Sequence, residues 1–298
     1  MRKRIPLLAV ALAGVLAALP ATAQARQAPL TTVECGTVVT TSIRVANDLH
    51  DCPGDGLVVG ASNITIDLNG HTIDGVPGGP GSGIRLNDFD RVTIRNGTVQ
   101  EFLVCVQVND STGSTVTQIV AADCEHGISL QRTSRSRVVG NTTSGELPGF
   151  EASVGIVLVE SDRNRIERNK VANEFGILLL TSSDNVVERN VVTGGDVGIA
   201  LRYGANRNLI SRNVVTDQSS SGIDIRYESV ENRVERNDVS GSGGDGIFAE
   251  PSATYVARNR AYNNALLGIN AEGAIDGGGN RAAGNGDPRQ CVGVTCRP

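Results

Sequence analysis

Between Gly155 and Asn259, short alternations of apolar and polar residues recur in a fixed order. Gly155-Ile-Val-Leu158, Gly176-Ile-Leu-Leu179, Gly198-Ile-Ala-Leu201, Gly222-Ile-Asp-Ile225 and Gly246-Ile-Phe-Ala249 open five copies, at intervals of 21, 22, 24 and 24 residues. Each is followed by a second phrase: Asn164-Arg-Ile-Glu-Arg-Asn169, Asn185-Val-Val-Glu-Arg-Asn190, Asn208-Leu-Ile-Ser-Arg-Asn213, Asn232-Arg-Val-Glu-Arg-Asn237 and Thr254-Tyr-Val-Ala-Arg-Asn259. A third, shorter phrase carries Val171, Val192, Val215, Val239 or Ala261. A constant period in this range marks a solenoid. The runs alternate and are too short for helices, so each copy reads as three strands and three turns, one coil of a parallel β-helix. Ile156 and Leu158 then point inward and Val157 outward, and equivalent residues of successive coils stack in columns roughly 4.8 Å apart.

Several further expectations follow from the columns. Asn169, Asn190, Asn213, Asn237 and Asn259 make one stack at a turn. Stacked Asn side chains hydrogen-bond along such a ladder, and Asn tolerates the left-handed backbone of a tight corner. Upstream the period holds while the motif decays: Gly83-Ile-Arg-Leu86, then Val104 to Val108, then Gly127-Ile-Ser-Leu130. From Gly127 to Gly155 the interval lengthens to 28, and the excess falls in Thr142–Ser153. That segment reads as a loop, with Leu147 or Phe150 folding over the outward Val157, Val159, Leu178 and Leu180. Residues 26–62 are expected to form a leader and cap, 63–272 the β-helix, and 273–298 a C-terminal tail and cap.

The phrases above, together with Ile64-Thr-Ile-Asp-Leu-Asn-Gly-His-Thr-Ile-Asp-Gly75, resemble the secreted right-handed parallel β-helix proteins of the PbH1-repeat, NosD-like group, within the pectate-lyase-like superfamily. The resemblance covers nearly the whole chain beyond residue 25. It implies an all-β, single-domain solenoid of about ten coils. It says little about activity, because many activities share the scaffold.

Residues 1–25 carry the marks of a secretory signal: Arg2, Lys3 and Arg4, an apolar run from Ile5 to Leu19, and Ala23-Gln24-Ala25 before Arg26. The expected product is extracellular, cleaved near Ala25, monomeric and without a membrane span. The formal net charge of −5 becomes −8 without those three basic residues, which argues against nucleic acid as a partner. All six cysteines follow the leader, as suits disulfides in an exported chain. Pairing of near neighbours is expected: Cys35–Cys52, Cys105–Cys124 and Cys291–Cys296. Zinc ligation lacks partner histidines at suitable spacing.

Tracking the outward columns gathers Arg202, Tyr203, Asp224, Arg226, Tyr227, Phe248 and Glu250 on one face of three adjacent coils. Tyr and Phe rings stack on sugars, and Arg grips a uronate carboxylate. The expected partner is therefore a polysaccharide, anionic in character. Asp224, Arg226 and Tyr227 are the candidate catalytic residues for lyase- or epimerase-type removal of the C5 proton. Arg202, Tyr203, Phe248 and Glu250 are the candidate substrate contacts. The plainer alternative is a surface Arg226–Glu250 pair on a non-catalytic cell-surface or adhesion scaffold. A second candidate is the row Arg168, Arg189, Arg212, Arg236 and Arg258, flanked by Glu167, Glu188 and Glu235: a solvated charged surface or a groove for a polyanion.

Other signals are weaker. The alginate-epimerase Asp-Pro-His-Asp signature and the polygalacturonase paired-Asp and Gly-His-Gly marks are absent. Gly243-Gly-Asp-Gly246 looks like a fragment of a calcium-binding nonapeptide but does not repeat. Asp196, Asp224, Asp245 and Glu250 share no column, so a Ca²⁺ cluster is unsupported and no cofactor is expected. Copper chemistry of the NosD kind calls on Met and His. Beyond the leader there is no Met, and His50, His71 and His126 are scattered. Asn63, Asn96, Asn109 and Asn141 lie in glycosylation sequons, which arise readily by chance in such a chain.

Overall fold

A computed structural model describes residues 27–145, 153–250 and 253–298. One strand from each coil enters a 12-stranded sheet. Its members include Ser82–Asn87, Val104–Asn109, His126–Gln131, Val154–Val159, Phe175–Leu180, Val197–Arg202, Ile223–Ile225 and Ile247–Ala249. The other two strands of each coil join a 22-stranded sheet that supplies the remaining faces. Pairing is parallel, and each strand bonds to its equivalents one coil away. Ile156, Ile177, Ile199, Ile223, Ile247 and Ile269 are aligned in register and form one buried stripe. Leu158, Leu179, Leu201 and Ile225 form a second. Each such side chain contributes about 1.5–3 kcal/mol by leaving water, so the core is a long thin stack with no single centre.

The motif glycines are explained by close approach. A Cβ on Gly198 would stand 2.6 Å from the carbonyl oxygen of Gly222 and run into the Cγ1 methyl of Val215. No side chain fits where the inner surface turns from one face to the next.

The Asn column is buried and continuous from Asn141 through Asn169, Asn190, Asn213, Asn237 and Asn259 to Asn280. Each Oδ1 accepts the backbone N–H and the Nδ2–H of the Asn one coil earlier, at 2.9 and 3.0 Å for Asn190 on Asn213. A second ladder runs through Asn164, Asn185, Asn208 and Asn232, the residues that open the second phrase. These amides satisfy the inward-facing backbone groups of the corners, which would otherwise be buried without partners. The left-handed residue is not the Asn, as expected from sequence, but the Arg before it. Arg168, Arg189, Arg212, Arg236 and Arg258 have φ of +54 to +58° and are exposed. The corner turns at a side chain that reaches solvent, which leaves the Asn amide free to point inward.

The stack extends further at both ends than the 63–272 anticipated. Leu30–Thr31, Thr37–Val39, Ile43–Val45 and Leu57–Val59 already pair coil to coil. Ile275–Gly278, Asn280–Ala283, Cys291–Val292 and Cys296–Arg297 continue the same pairing. Cys35–Cys52, Cys105–Cys124 and Cys291–Cys296 are joined as disulfides. Thr142–Ser144 is a strand, paired to Val120–Ala122 and Lys170–Ala172, so these residues belong to the coil and not to the loop expected at Thr142–Ser153. Leu147 and Phe150, and the signal segment 1–25, lie outside the described residues. Of the outward apolar residues, Val157 is buried, while Val159, Leu178 and Leu180 are half-buried. Among the described residues, no helix is long and apolar enough to cross a membrane.

Candidate functional site

Asp224 sits between the inward Ile223 and Ile225, so strand alternation turns it to the outer face of the 12-stranded sheet. Its column reads Ala200, Asp224, Phe248, Asn270. Although outward, its side chain is only 3% exposed. Burying a carboxylate requires pairing, and two guanidinium groups provide it. Arg202 Nη2 donates to Oδ2 at 2.7 Å, and Arg226 Nε donates to Oδ1 at 2.6 Å. Both carboxylate oxygens are thus engaged. Burial opposes the charge on Arg226, but the hydrogen bond and charge of Asp224 outweigh it and raise the guanidinium pKa above its usual value. Glu250 also lies within electrostatic reach of Arg226, and each guanidinium keeps N–H groups beyond the one given to Asp224.

The aromatic residues frame this pair. Arg226 lies over the Phe248 ring, 4.2 Å from its centroid, so one face of Phe248 supports the guanidinium. Tyr203 and Tyr227 stack with centroids 4.9 Å apart and ring planes 10° from parallel. The guanidinium of Arg202 stands 5.4 Å from the Tyr227 ring. Tyr203 is 60% and Tyr227 46% exposed, and both have φ of +55°. That backbone belongs to the architecture. Asp110, Arg132, Glu160 and Thr181 adopt it at the same corner, each passing its N–H to a carbonyl one coil on. At Tyr227 the acceptor is instead the Glu250 side chain, Oε2 at 2.7 Å. Glu250 therefore closes the corner that carries Tyr227, and the Arg226–Glu250 pair considered from sequence gives way to Arg226–Asp224. All seven residues gathered from sequence do lie on one surface, and Tyr203, Tyr227 and Glu228 line a shallow depression at its edge.

The arginine row divides in two. Glu167 and Glu188 are buried beneath it. Glu167 holds Arg165 and Arg137, and Glu188 holds Arg212, with Arg189 at 3.9 Å. On the same face Arg233 lies over Tyr255, 4.3 Å from its centroid; the two hold equivalent positions of the second phrase on adjoining coils and stand in one register column. The histidines do not converge: His71 Nδ1 is 2.9 Å from Asp48 Oδ1, and His126 is half-buried with Glu125 beside it.

The family model of the periplasmic copper-binding protein NosD matches residues 146–285, just under half of the chain. Copper sites of that kind draw on Met, Cys and His. Here all six cysteines are in disulfides, and no group of three or more His, Cys, Asp or Glu gathers among the described residues. The residues present do not fit a copper centre. No curated protein matches the chain. Among solved structures, the Dettilon tailspike protein gp208 is similar over 85% of this chain at 18% identity, with a TM-score of 0.68. The chain spans 60% of that protein's length. A point mutant of the periplasmic alginate epimerase AlgG is similar at 14% identity and a TM-score of 0.60, covering 87% of this chain and 76% of that one. The A-module of the mannuronan C-5 epimerase AlgE6 from Azotobacter vinelandii gives 16% identity, a TM-score of 0.57, and coverage of 91% and 80%. At these identities the likeness establishes the architecture alone.

Proposed function

We propose that this right-handed parallel β-helix protein binds an acidic polysaccharide across the outer face of its 12-stranded sheet, at the surface from Arg202 to Glu250. The observation that carries the reading is the doubly held Asp224. It fixes Arg202 and Arg226 side by side, beside an exposed stack of two tyrosines. A uronate carboxylate would take the free N–H groups of the guanidiniums, and the open faces of the tyrosines would meet the C–H faces of the sugar. Asp224 acts as a positioning residue for the arginines, and Glu250 does the same for Tyr227. Two of the similar structures named above are an alginate epimerase and a mannuronan C-5 epimerase module, which agrees with a uronate polymer as ligand.

If the bound polymer is also modified, we assign the proton transfer to Tyr227. Both oxygens of Asp224 are occupied by arginines. Removal of the C5 proton by the Tyr227 oxygen, once its own hydroxyl proton has passed to solvent, with the arginines holding the carboxylate, would send the electron pair into a C4–C5 double bond as O4 leaves and is protonated by solvent. Reprotonation at C5 instead would give epimerisation. The test is titration with uronate oligosaccharides, with absorbance of the unsaturated product followed in parallel. Binding without product assigns a non-catalytic glycan-binding scaffold. No binding of any uronate oligosaccharide, or binding unchanged in Arg226→Ala, removes the proposal.

A further inference from the structure

The arginine row has a half that the protein itself leaves uncompensated. Toward the N-terminal side, buried Glu167 and Glu188 sit beneath the guanidiniums. Toward the C-terminal side the same column continues as Glu235, which is half-buried and held by Arg233, and then as Ala257, so among the described residues no carboxylate of that column engages Arg236 or Arg258. Arg236 and Arg258 occupy successive left-handed corners, tied by the bonds Arg236 N–H to Ala257 O and Arg258 N–H to Gly278 O. Two residues further along each coil, Asp238, Arg260, Arg281 and Arg297 stand in one register column on adjoining strands. All five arginines are exposed. Among the described residues, the one carboxylate within ion-pair reach of any of them is Asp238, 4.0 Å from Arg260. Arg236, Asn237, Asp238, Arg258 and Arg260 together line a surface concavity.

Like charges directly opposite one another on neighbouring strands repel. Elsewhere on the same face buried Glu167 and Glu188 answer them; here Glu235 is taken by Arg233 and Asp238 reaches Arg260 alone, although the chain as a whole carries a net charge of −5. The missing negative charge can come from outside. We propose that Arg236, Arg258, Arg260, Arg281 and Arg297 form a second binding site, on a different face from the Arg202–Glu250 surface, for an acidic glycan bearing carboxylate or sulfate groups. The cations repeat with the coil spacing of roughly 4.8 Å, so the site suits a polymer with one oxyanion per unit better than a single small ion. Guanidinium groups bind either oxyanion through paired N–H donors.

The experiment uses the folded, exported protein and two probes, an oligogalacturonate hexasaccharide for carboxylate and a heparin hexasaccharide for sulfate, titrated at low and at physiological salt. The variant is Arg258→Gln with Arg260→Gln and Arg281→Gln. Removing three cations should weaken binding of at least one probe by about tenfold and flatten its salt dependence, and which probe responds identifies the oxyanion. Arg281→Glu alone, at an exposed position, gives the same readout if the triple variant folds poorly. Arg226→Ala should leave this component in place, whereas the triple variant should leave binding at the Arg202–Glu250 surface in place, so failure of either site is separately visible. The proposal is overturned if neither probe binds at this face, if the triple variant binds as the parent does, or if a DNA duplex competes as strongly as the glycans.

Discussion

Replacing Asn213 by alanine tests how much of the solenoid rests on its inner amide ladder. The Asn213 side chain is fully buried and makes four hydrogen bonds. Its Oδ1 accepts from the N–H and Nδ2 of Asn190, and its Nδ2 donates to Val187 O and Asn237 Oδ1, all at 2.9–3.0 Å. Asn237 Oδ1 keeps a donor after the substitution, because the backbone N–H of Asn213 still reaches it. Asn190 Nδ2 keeps its bond to Ile166 O. The Asn190 backbone N–H and one Nδ2 hydrogen are left buried without acceptors, and Val187 O loses its side-chain donor. At about 1–3 kcal/mol for each of the two orphaned donors, the expected loss is about 2–6 kcal/mol. That is a large share of the roughly 5–15 kcal/mol by which a domain is stable. Urea unfolding followed by far-ultraviolet circular dichroism measures it, with the slope watched for loss of cooperativity, since coils couple only to their neighbours. A loss below about 1 kcal/mol would refute the reasoning, because the groups would then be finding other partners.

Four further outcomes follow. Arg168→Gly relieves a left-handed corner and should be neutral or stabilising by up to about 1 kcal/mol, whereas Arg168→Val should destabilise, read as opposite shifts in melting temperature. Asp224→Ala leaves two half-buried guanidiniums unpaired and should lower stability by about 2–3 kcal/mol, with part recovered in the Asp224→Ala/Arg202→Ala double variant. Burial holds the His126 pKa below its usual 6.5, so the unfolded chain binds a proton that the folded one refuses. Stability from this group is complete above pH 6.5 and falls as pH drops toward the folded pKa, and His126→Asn should flatten that part of the melting profile. Removing the Cys105–Cys124 bridge, which closes a separation of 19 residues, as the double Ala variant should lower stability by about 3 kcal/mol in denaturant titration.

What could be read from the chain alone was whatever repeats with burial. The alternation within Gly198-Ile-Ala-Leu201 and its copies sets which side chains point inward, and the interval sets what stacks on what. The seven residues from Arg202 to Glu250 could therefore be placed on one surface before any coordinates. Which of them touch could not. Arg226 had Asp224 two residues before it and Glu250 one coil away as possible carboxylates, and counting positions does not rank them. Asp224 prevails because a buried carboxylate must be paired, while Glu250 finds a backbone N–H at the Tyr227 corner. The corners misled for a similar reason. Asn and Arg are adjacent, and composition favours Asn for a left-handed backbone, but the need to fill buried hydrogen bonds claims the Asn and leaves the turn to Arg. The first and last coils were missed because Thr37–Val39 and Cys291–Val292 pair through the backbone without the repeated phrases.

The most direct test of the central claim is a crystal structure of the protein with a bound uronate oligosaccharide. The account predicts a sugar carboxylate on the guanidiniums of Arg202 and Arg226, with a sugar ring against Tyr203 or Tyr227. Density for the oligosaccharide on another face, or an Arg202–Asp224–Arg226 surface left bare at saturating ligand, would contradict it.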